Sequence, residues 1–164
     1  MRLSETAASQ TPPSALACSN DGEDAGEPPN PPGGSLTAAR AAARAGLQIR
    51  REGTGEDLLA ARCFGPGELV FEFRNVTWRP ARDRLTVEHP NGHHFFAPLL
   101  ARVSHSCDPN TRASAQLMAL VARRPIAPGD VVTYDFLSTE TAIADPFLCR
   151  CGSVGCRGWI AGPS

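Results

Sequence analysis

Apolar and polar positions divide the chain into one short helical segment followed by a series of short strands. The alanine-rich run Thr37–Ala45 follows Ser35, a residue type that caps helix N-termini, and precedes Gly46, where a helix would end. This pattern predicts one short helix over residues 36–46, at the edge of the folded part.

The following residues alternate between short apolar runs and breaks at glycine and proline, a pattern typical of strands. The predicted strands lie in Leu69–Phe73, Leu85–His89, His94–Ala97, Leu117–Val121 and Val131–Tyr134. The tripeptide Pro90-Asn91-Gly92 separates two of these runs, and Asn-Gly predicts a hairpin because both residues tolerate a positive φ. The sequence therefore predicts a mainly β fold of the α+β class.

Two tetrapeptides resemble each other closely enough to predict the same turn used twice. They are Gly65-Pro66-Gly67-Glu68 and Ala127-Pro128-Gly129-Asp130, and each leads into a strand rich in leucine and valine. The chain shows no other internal repeat.

Composition separates residues 1–35 from the rest of the 164-residue chain, which is long enough for one domain. This segment holds six prolines and no aromatic residue, so we expect it to be a disordered leader. One arginine against five acids gives it a charge of −4, whereas fifteen arginines against twelve acids give residues 36–164 a charge of +3. The leader could shield the basic part or favour a basic substrate, although a merely solvated leader is the simpler interpretation.

Charge and hydropathy also restrict the class of protein. The overall net charge of −1 argues against a protein that coats nucleic acid by charge alone. No stretch has the ~20 apolar residues of a membrane helix, and the leader lacks the apolar core of a signal peptide. The run Ala15-Leu16-Ala17-Cys18 faintly resembles a lipoprotein cleavage site, but the preceding residues are polar. We therefore expect a soluble intracellular protein.

Three cysteines near the C-terminus have the spacing of metal ligands. In extended chain Cys149 and Cys151 share a face, and the glycine-rich segment after them can bring Cys156 back to the same ion. Structural zinc takes four ligands, so one more is needed. The choices for it are Cys18, Cys63 and Cys107.

Cys107 is the best of these choices for the fourth ligand because it lies in a turn-like segment. Cys18 lies in the leader, and Cys63 stands among apolar residues as a small buried hydrophobic side chain would. Disulfides are the alternative, but a chain without a secretion signal argues against them.

Other reactive residue types have simpler interpretations. The segment Ser104–Asn110 contains the residue types of a cysteine nucleophile system, but residues one or two apart rarely place a nucleophile against its base. The histidines at positions 89, 93 and 94 could bind a metal, yet exposed hairpin polarity is the better interpretation.

Three blocks in order resemble the signature motifs of SET-domain protein lysine methyltransferases: Ser104–Asn110, Pro125–Phe136 and Cys149–Gly158. The segment Gly55–Val70 is similar to the family's glycine motif and the strand after it. The resemblance implies a SET domain over residues 47–140 and a post-SET zinc-binding segment over residues 141–164. The implied fold has short sheets, a knot-like C-terminal crossing and a post-SET zinc loop. S-adenosylmethionine would bind on one face, and the substrate lysine would enter a channel from the other.

The resemblance also implies roles for individual residues. Structural zinc would be held by Cys107, Cys149, Cys151 and Cys156, and S-adenosylmethionine would contact Gly53, Gly55, Ser104, His105 and Trp159. Packing of Trp159 in the core is the equally weighted alternative. Tyr134 and Phe136 would line the catalytic channel, with the hydroxyl of Tyr134 serving the reaction.

Three positions depart from the family's pattern. Ser104 stands where asparagine is usual, and Phe136 where the main catalytic tyrosine is usual. Asp57 stands where a second glycine is usual if Gly55 aligns with the first, whereas with Gly53-Thr54-Gly55 as the pair two residues are extra. The first hypothesis is therefore an S-adenosylmethionine-dependent protein lysine N-methyltransferase that uses Tyr134. The alternatives are a catalytically weak or inactive SET-fold binding module and a zinc-stabilised scaffold without a small ligand.

The expected partner is a protein that presents a lysine, such as a histone or another basic protein. We expect no direct nucleic-acid contact, no membrane association, a monomeric state, and a location in the cytoplasm or nucleus.

Overall fold

The computed structural model describes residues 36–53 and 55–162. The leader, with Cys18 and the Ser35 cap, lies outside the described residues. Within the described ranges the chain forms one α-helix and twelve short strands. They are α1 (Leu36–Arg44), β1 (Leu47–Glu52), β2 (Gly55–Ala60), β3 (Leu69–Glu72), β4 (Thr77–Arg79), β5 (Thr86–Glu88), β6 (His94–Phe96), β7 (Ser104–His105), β8 (Thr111–Ser114), β9 (Ala119–Ala122), β10 (Thr133–Tyr134), β11 (Phe147–Leu148) and β12 (Trp159–Ile160). Short 3-10 helices occupy Leu100–Arg102 and Phe136–Ser138.

The predicted helix is confirmed, and it ends where the sequence indicated. Gly46 has a φ of +69° and donates its N–H to the carbonyl of Ala43, which closes the last turn of α1. The helix contacts β1, which forms an antiparallel hairpin with β2. The hairpin turn lies between Glu52 and Gly55 and contains Gly53, whose φ is +59°.

Two three-stranded antiparallel sheets contain most of the predicted strands. One sheet has the order β3-β9-β8 and the other β4-β6-β5. The predicted hairpin joins β5 to β6: the N–H of Gly92 donates to the carbonyl of His89, and Gly92 alone of the Asn-Gly pair has a positive φ, of +82°. The strand predicted at Leu117–Val121 is shifted, because Met118 turns at a φ of +49° and β9 begins at Ala119.

The repeated turn is confirmed in detail. Glu68 donates its N–H to the carbonyl of Gly65, and its carboxylate accepts the N–H of Gly65 at 2.8 Å. Asp130 makes the same two bonds with Ala127, the second at 2.9 Å. The glycine before each acid has a positive φ, which a proline–glycine turn of this kind requires.

One apolar core lies under these sheets. The largest side chains removed from solvent are Phe64, Phe95, Leu47, Leu58, Leu120, Ile126 and Ile160. Cys63 is only half-buried, so the interpretation of its side chain as a buried hydrophobic group is corrected. None of the described helices is long and apolar enough to cross a membrane.

A parallel pair of two-residue strands, β7 and β10, brings distant parts of the chain together. Thr133 is in register with Ser104, and Tyr134 with His105. Asn110 fixes this arrangement, since its Nδ2 donates to the carbonyl of Val131 and its Oδ1 accepts the N–H of Thr133, both at 2.9 Å. The turn that contains Cys107 is therefore held beside the strand that contains Tyr134.

Candidate active site and metal centre

The structure brings the four predicted metal ligands together. The sulfurs of Cys107, Cys149, Cys151 and Cys156 all lie within 4.8 Å of one another. All four are free thiols, and the sulfurs of Cys107 and Cys149 are 3.8 Å apart. Two ligands at the 2.3 Å zinc–sulfur distance of a tetrahedral site stand about 3.8 Å apart, so the cluster fits zinc.

Electrostatics within the cluster favours a bound cation. Burial raises the pKa of the Cys149 thiol to about 12, while the hydroxyl of Ser153, 3.1 Å from the sulfur of Cys151, lowers the pKa of that thiol to about 5. The main-chain N–H of Arg157 donates to the sulfur of Cys107 at 3.4 Å. A divalent cation would offset the desolvation cost of ionising the buried Cys149 thiol, a cost that the hydrogen bonds within the cluster offset only in part.

His105 connects this cluster to the strand that contains Tyr134. Its Nδ1 accepts the main-chain N–H of Phe136 at 3.3 Å, so the neutral ring carries its proton on Nε2, 3.5 Å from the sulfur of Cys107. Burial lowers the pKa of His105, which keeps the ring neutral. The side chains of residues 105 and 107 lie in contact, which the sequence analysis had considered rare for residues two apart. Since the sulfur is shared with three other cysteines, the contact suits an outer hydrogen bond to a metal ligand.

An aromatic cluster adjoins His105. The ring of Phe136 lies 5.1 Å from that of His105, 4.8 Å from that of Tyr134 and 6.0 Å from that of Phe147. Tyr134 and Phe136 both line a cavity of about 280 Å³. Leu100, Val103 and Ile143 supply part of its apolar wall. The two predicted channel residues therefore share one partly enclosed space with a partly apolar wall.

The same cavity holds a residue that the sequence analysis missed. Glu140 is 8% exposed, and its Oε1 accepts the main-chain N–H of Glu88 at 2.9 Å. Burial, the largest cause, raises the pKa of Glu140 to about 7, and the charge of Glu88 adds to the effect. The only signal in the sequence was an acid between threonines six residues after Tyr134, which alone indicates a surface loop.

The residues predicted to bind the cofactor lie on three elements: Gly53 and Gly55 at the β1–β2 turn, Ser104 and His105 on β7, and Trp159 at the start of β12. The side chain of Trp159 is exposed, at 62%, so packing in the core is excluded for it. A Cβ built on Gly53 would meet no atom within 4 Å, so the hairpin tip is open. The N–H groups of Ser104 and Ser106 donate to Val132 and Tyr134, so the main-chain groups of His105 point away from β10.

Two departures from the family's pattern contact each other. The hydroxyl of Ser104 donates to Oδ1 of Asp57 at 2.5 Å, and Oδ2 of Asp57 accepts from Arg50 at 3.1 Å. The Ser104 side chain is therefore bound to the β1–β2 hairpin. Serine at this position therefore differs from asparagine in a second way besides its shorter side chain, because its hydroxyl is already hydrogen-bonded to Asp57.

The histidines of the β5–β6 hairpin form no metal site. Trp78 contacts two of them edge-on, with ring centroids 5.5 Å from His89 and 6.4 Å from His93. In the part of the chain that the structure describes, the four cysteines are the one group of three or more potential metal ligands.

Comparisons with known proteins agree with this site. No protein-family model matches the chain. Histone-lysine N-methyltransferase Set2 of Drosophila melanogaster is 26% identical over 138 residues, which cover 70% of this chain and 6% of Set2. Methyltransferase flvH of Aspergillus flavus is 40% identical over 65 residues, which cover 38% of this chain and 36% of flvH. The chain thus spans a minor part of the length of these curated relatives.

Solved structures show the fold. KRYPTONITE in complex with mCHG DNA and SAH superposes with a TM-score of 0.55 at 20% identity, covering 69% of this chain and 28% of that one. The methyltransferase domain of human histone-lysine N-methyltransferase SETMAR gives a TM-score of 0.54 at 17% identity, covering 71% and 58%. The chain therefore has the SET-domain methyltransferase fold, and both the predicted fold class and the resemblance are confirmed. The KRYPTONITE structure contains DNA, and the expected absence of nucleic-acid contact in this chain stays a prediction.

Proposed function

We propose that the protein is an S-adenosylmethionine-dependent protein lysine N-methyltransferase with one structural zinc ion. The observation that carries the proposal is the cavity of about 280 Å³ that Tyr134 and Phe136 line, on a SET-domain fold. Relatives named histone-lysine N-methyltransferases support it.

In this proposal Cys107, Cys149, Cys151 and Cys156 hold the zinc ion. A zinc ion held by these residues would fix the C-terminal segment against the turn after β7, because one ligand comes from that turn and three from the segment. It would thereby position β11 and β12, with the ring of Phe147 in the cavity wall and the exposed ring of Trp159. Four cysteine ligands are the donor set of a structural zinc site.

S-adenosylmethionine, when bound, supplies the methyl group on a positively charged sulfur. On the protein side, the main-chain N–H and C=O of His105 offer a donor and an acceptor at the edge of β7, and Trp159 offers an exposed aromatic face. Gly53 permits close approach of the main chain at the β1–β2 turn, Gly55 follows that turn, and Ser104 is bonded to Asp57 of the same hairpin.

On the lysine side, the cavity must present a neutral amine. An amine with a pKa near 10.4 costs about 4.6 kcal/mol to deprotonate at pH 7, and an apolar enclosure lowers that cost. Burial raises the pKa of Tyr134, so its hydroxyl stays protonated and can orient the amine by a hydrogen bond. Phe136 adds an apolar wall where a second hydroxyl would otherwise stand.

For partners we propose a basic protein substrate, such as a histone, met in the nucleus or cytoplasm by a monomeric enzyme that makes no direct contact with nucleic acid. The charge of +3 on residues 36–164 is too small to restrict the substrate further.

The second candidate is a SET-fold binding module with weak or no turnover, which Phe136 favours because a hydroxyl is missing from the cavity. Purified protein incubated with labelled S-adenosylmethionine and a mixed cell lysate separates the two. Methyl transfer to lysine that is lost in Tyr134→Phe supports the enzyme. Calorimetric binding of the cofactor without any transfer supports the module.

A further inference from the structure

The cavity beside Tyr134 contains a carboxylate that lacks a full ion pair. Arg82 is the basic group nearest to Glu140, but its Nη2 is bound by Glu88 at 3.2 Å and by the hydroxyl of Thr141 at 2.9 Å. Its Nε stays 3.9 Å from Oε2 of Glu140 and, among the described atoms, has no hydrogen-bond partner. Glu88 thus holds the guanidinium, and Glu140 is left with a long ion-pair contact of 3.9 Å and no hydrogen bond from Arg82.

The position of Glu140 connects it to the aromatic end of the cavity. Both Tyr134 and Glu140 line the same space, and burial, followed by the charge of Glu140, raises the pKa of Tyr134. Leu100, Val103 and Phe147 supply apolar wall on this side, and the other charged residues of the lining, Asp83, Arg84 and Asp145, are exposed. A cation that enters the cavity therefore meets one buried carboxylate beside one phenol.

We infer that Glu140 is a catalytic residue that binds the ammonium group of the substrate lysine and accepts its proton. The inference rests on the proposed function for the identity of the substrate, but the cation site itself does not. One N–H bond of the ammonium breaks and leaves its electron pair on nitrogen, while an O–H bond forms on the carboxylate. With S-adenosylmethionine bound, the lone pair of the neutral amine would form a bond to the methyl carbon while the carbon–sulfur bond breaks and leaves its electron pair on sulfur. The proton on Glu140 passes to water after transfer.

The charges around Glu140 set the pH at which this works. Glu88 and Arg82 face it from the β5 side, Tyr134 from β10, and Asp83, Arg84 and Asp145 line the outer part of the cavity. Because the pKa of Glu140 is raised to about 7, the carboxylate is protonated below that pH and ionised above it. Cation binding and proton acceptance should therefore both increase as the pH rises through 7.

Glu140→Gln is the direct test. Glutamine keeps the shape and an oxygen for the N–H of Glu88, but it carries no charge and accepts no proton. We expect kcat to fall about 100-fold and the inflection near pH 7 in kcat/KM to disappear, with the melting temperature and cofactor affinity unchanged. The matched control is Asp145→Asn, which removes a charge from an exposed position on the same cavity and should change KM alone.

A second readout needs no turnover. Titration of the protein with n-butylammonium, a mimic of the lysine side chain, should show binding that strengthens about tenfold from pH 6 to pH 8 and is lost in Glu140→Gln. Equal binding and equal pH profiles in wild type and Glu140→Gln would overturn the inference, even if lysine methylation is established. Conversely, absence of methyl transfer with intact, Glu140-dependent butylammonium binding would refute the proposed function and leave the cation site standing.

Discussion

Replacing Ser104 with alanine should destabilise the fold and leave the affinity for S-adenosylmethionine nearly unchanged. The hydroxyl donates to a carboxylate oxygen of Asp57 at 2.5 Å, and hydrogen bonds to charged groups contribute about 1.5–3 kcal/mol. The Asp57 side chain is 26% exposed and also pairs with Arg50, so we expect Ser104→Ala to lower the free energy of unfolding by an amount at or just below that range, about 1–1.5 kcal/mol. At a urea slope of about 2 kcal/mol per molar, the unfolding midpoint falls by about 0.6 M.

A double-mutant cycle isolates this bond. Urea unfolding of Ser104→Ala, Asp57→Ala and the double variant should give a coupling of about 1 kcal/mol, because the cycle subtracts the loss of the Arg50 pair. Ser114→Ala, whose hydroxyl accepts the N–H of Leu117, should be additive with Asp57→Ala. If the Ser104 and Asp57 effects add within 0.5 kcal/mol and Ser104→Ala weakens cofactor binding tenfold, the hydroxyl faces the cofactor and the reasoning fails.

Three further predictions concern the cavity and the metal. Phe136→Tyr should raise kcat up to about tenfold, or 1.4 kcal/mol, because a cavity of about 280 Å³ has room for one oxygen; a lower melting temperature without a gain in kcat would contradict this. Tyr134→Phe should remove most turnover and keep cofactor binding by calorimetry. Cys151→Ala should release zinc by elemental analysis, whereas Cys63→Ala, outside the cluster, should retain it; native protein without zinc would refute the metal site.

Local chemistry made part of this fold predictable. The two proline–glycine turns appear as expected because the acid at the end of each turn satisfies an N–H three residues back. The cysteine cluster was predictable for a similar reason, since three of its ligands lie within eight residues and the fourth stands in a turn.

Features that depend on distant partners were not predictable. The β1–β2 hairpin escaped detection because β1 is largely polar and exposed along its second half, with Arg50 and Arg51 in mid-strand. Glu140 is acidic in sequence, and only the folded chain shows that it is buried against β5. The contact of Ser104 with Asp57 joins residues 47 positions apart.

The parallel pairing of β7 with β10, which holds the turn containing Cys107, has a consequence for the order of folding. Cys107 contacts Cys149, which is 42 residues later in the chain, and its sulfur accepts the N–H of Arg157, which is 50 residues later. Contacts of such long range form late in folding. The hairpins around the core can form first, so the cysteine cluster and the candidate site beside it are completed only after the rest of the described core has folded.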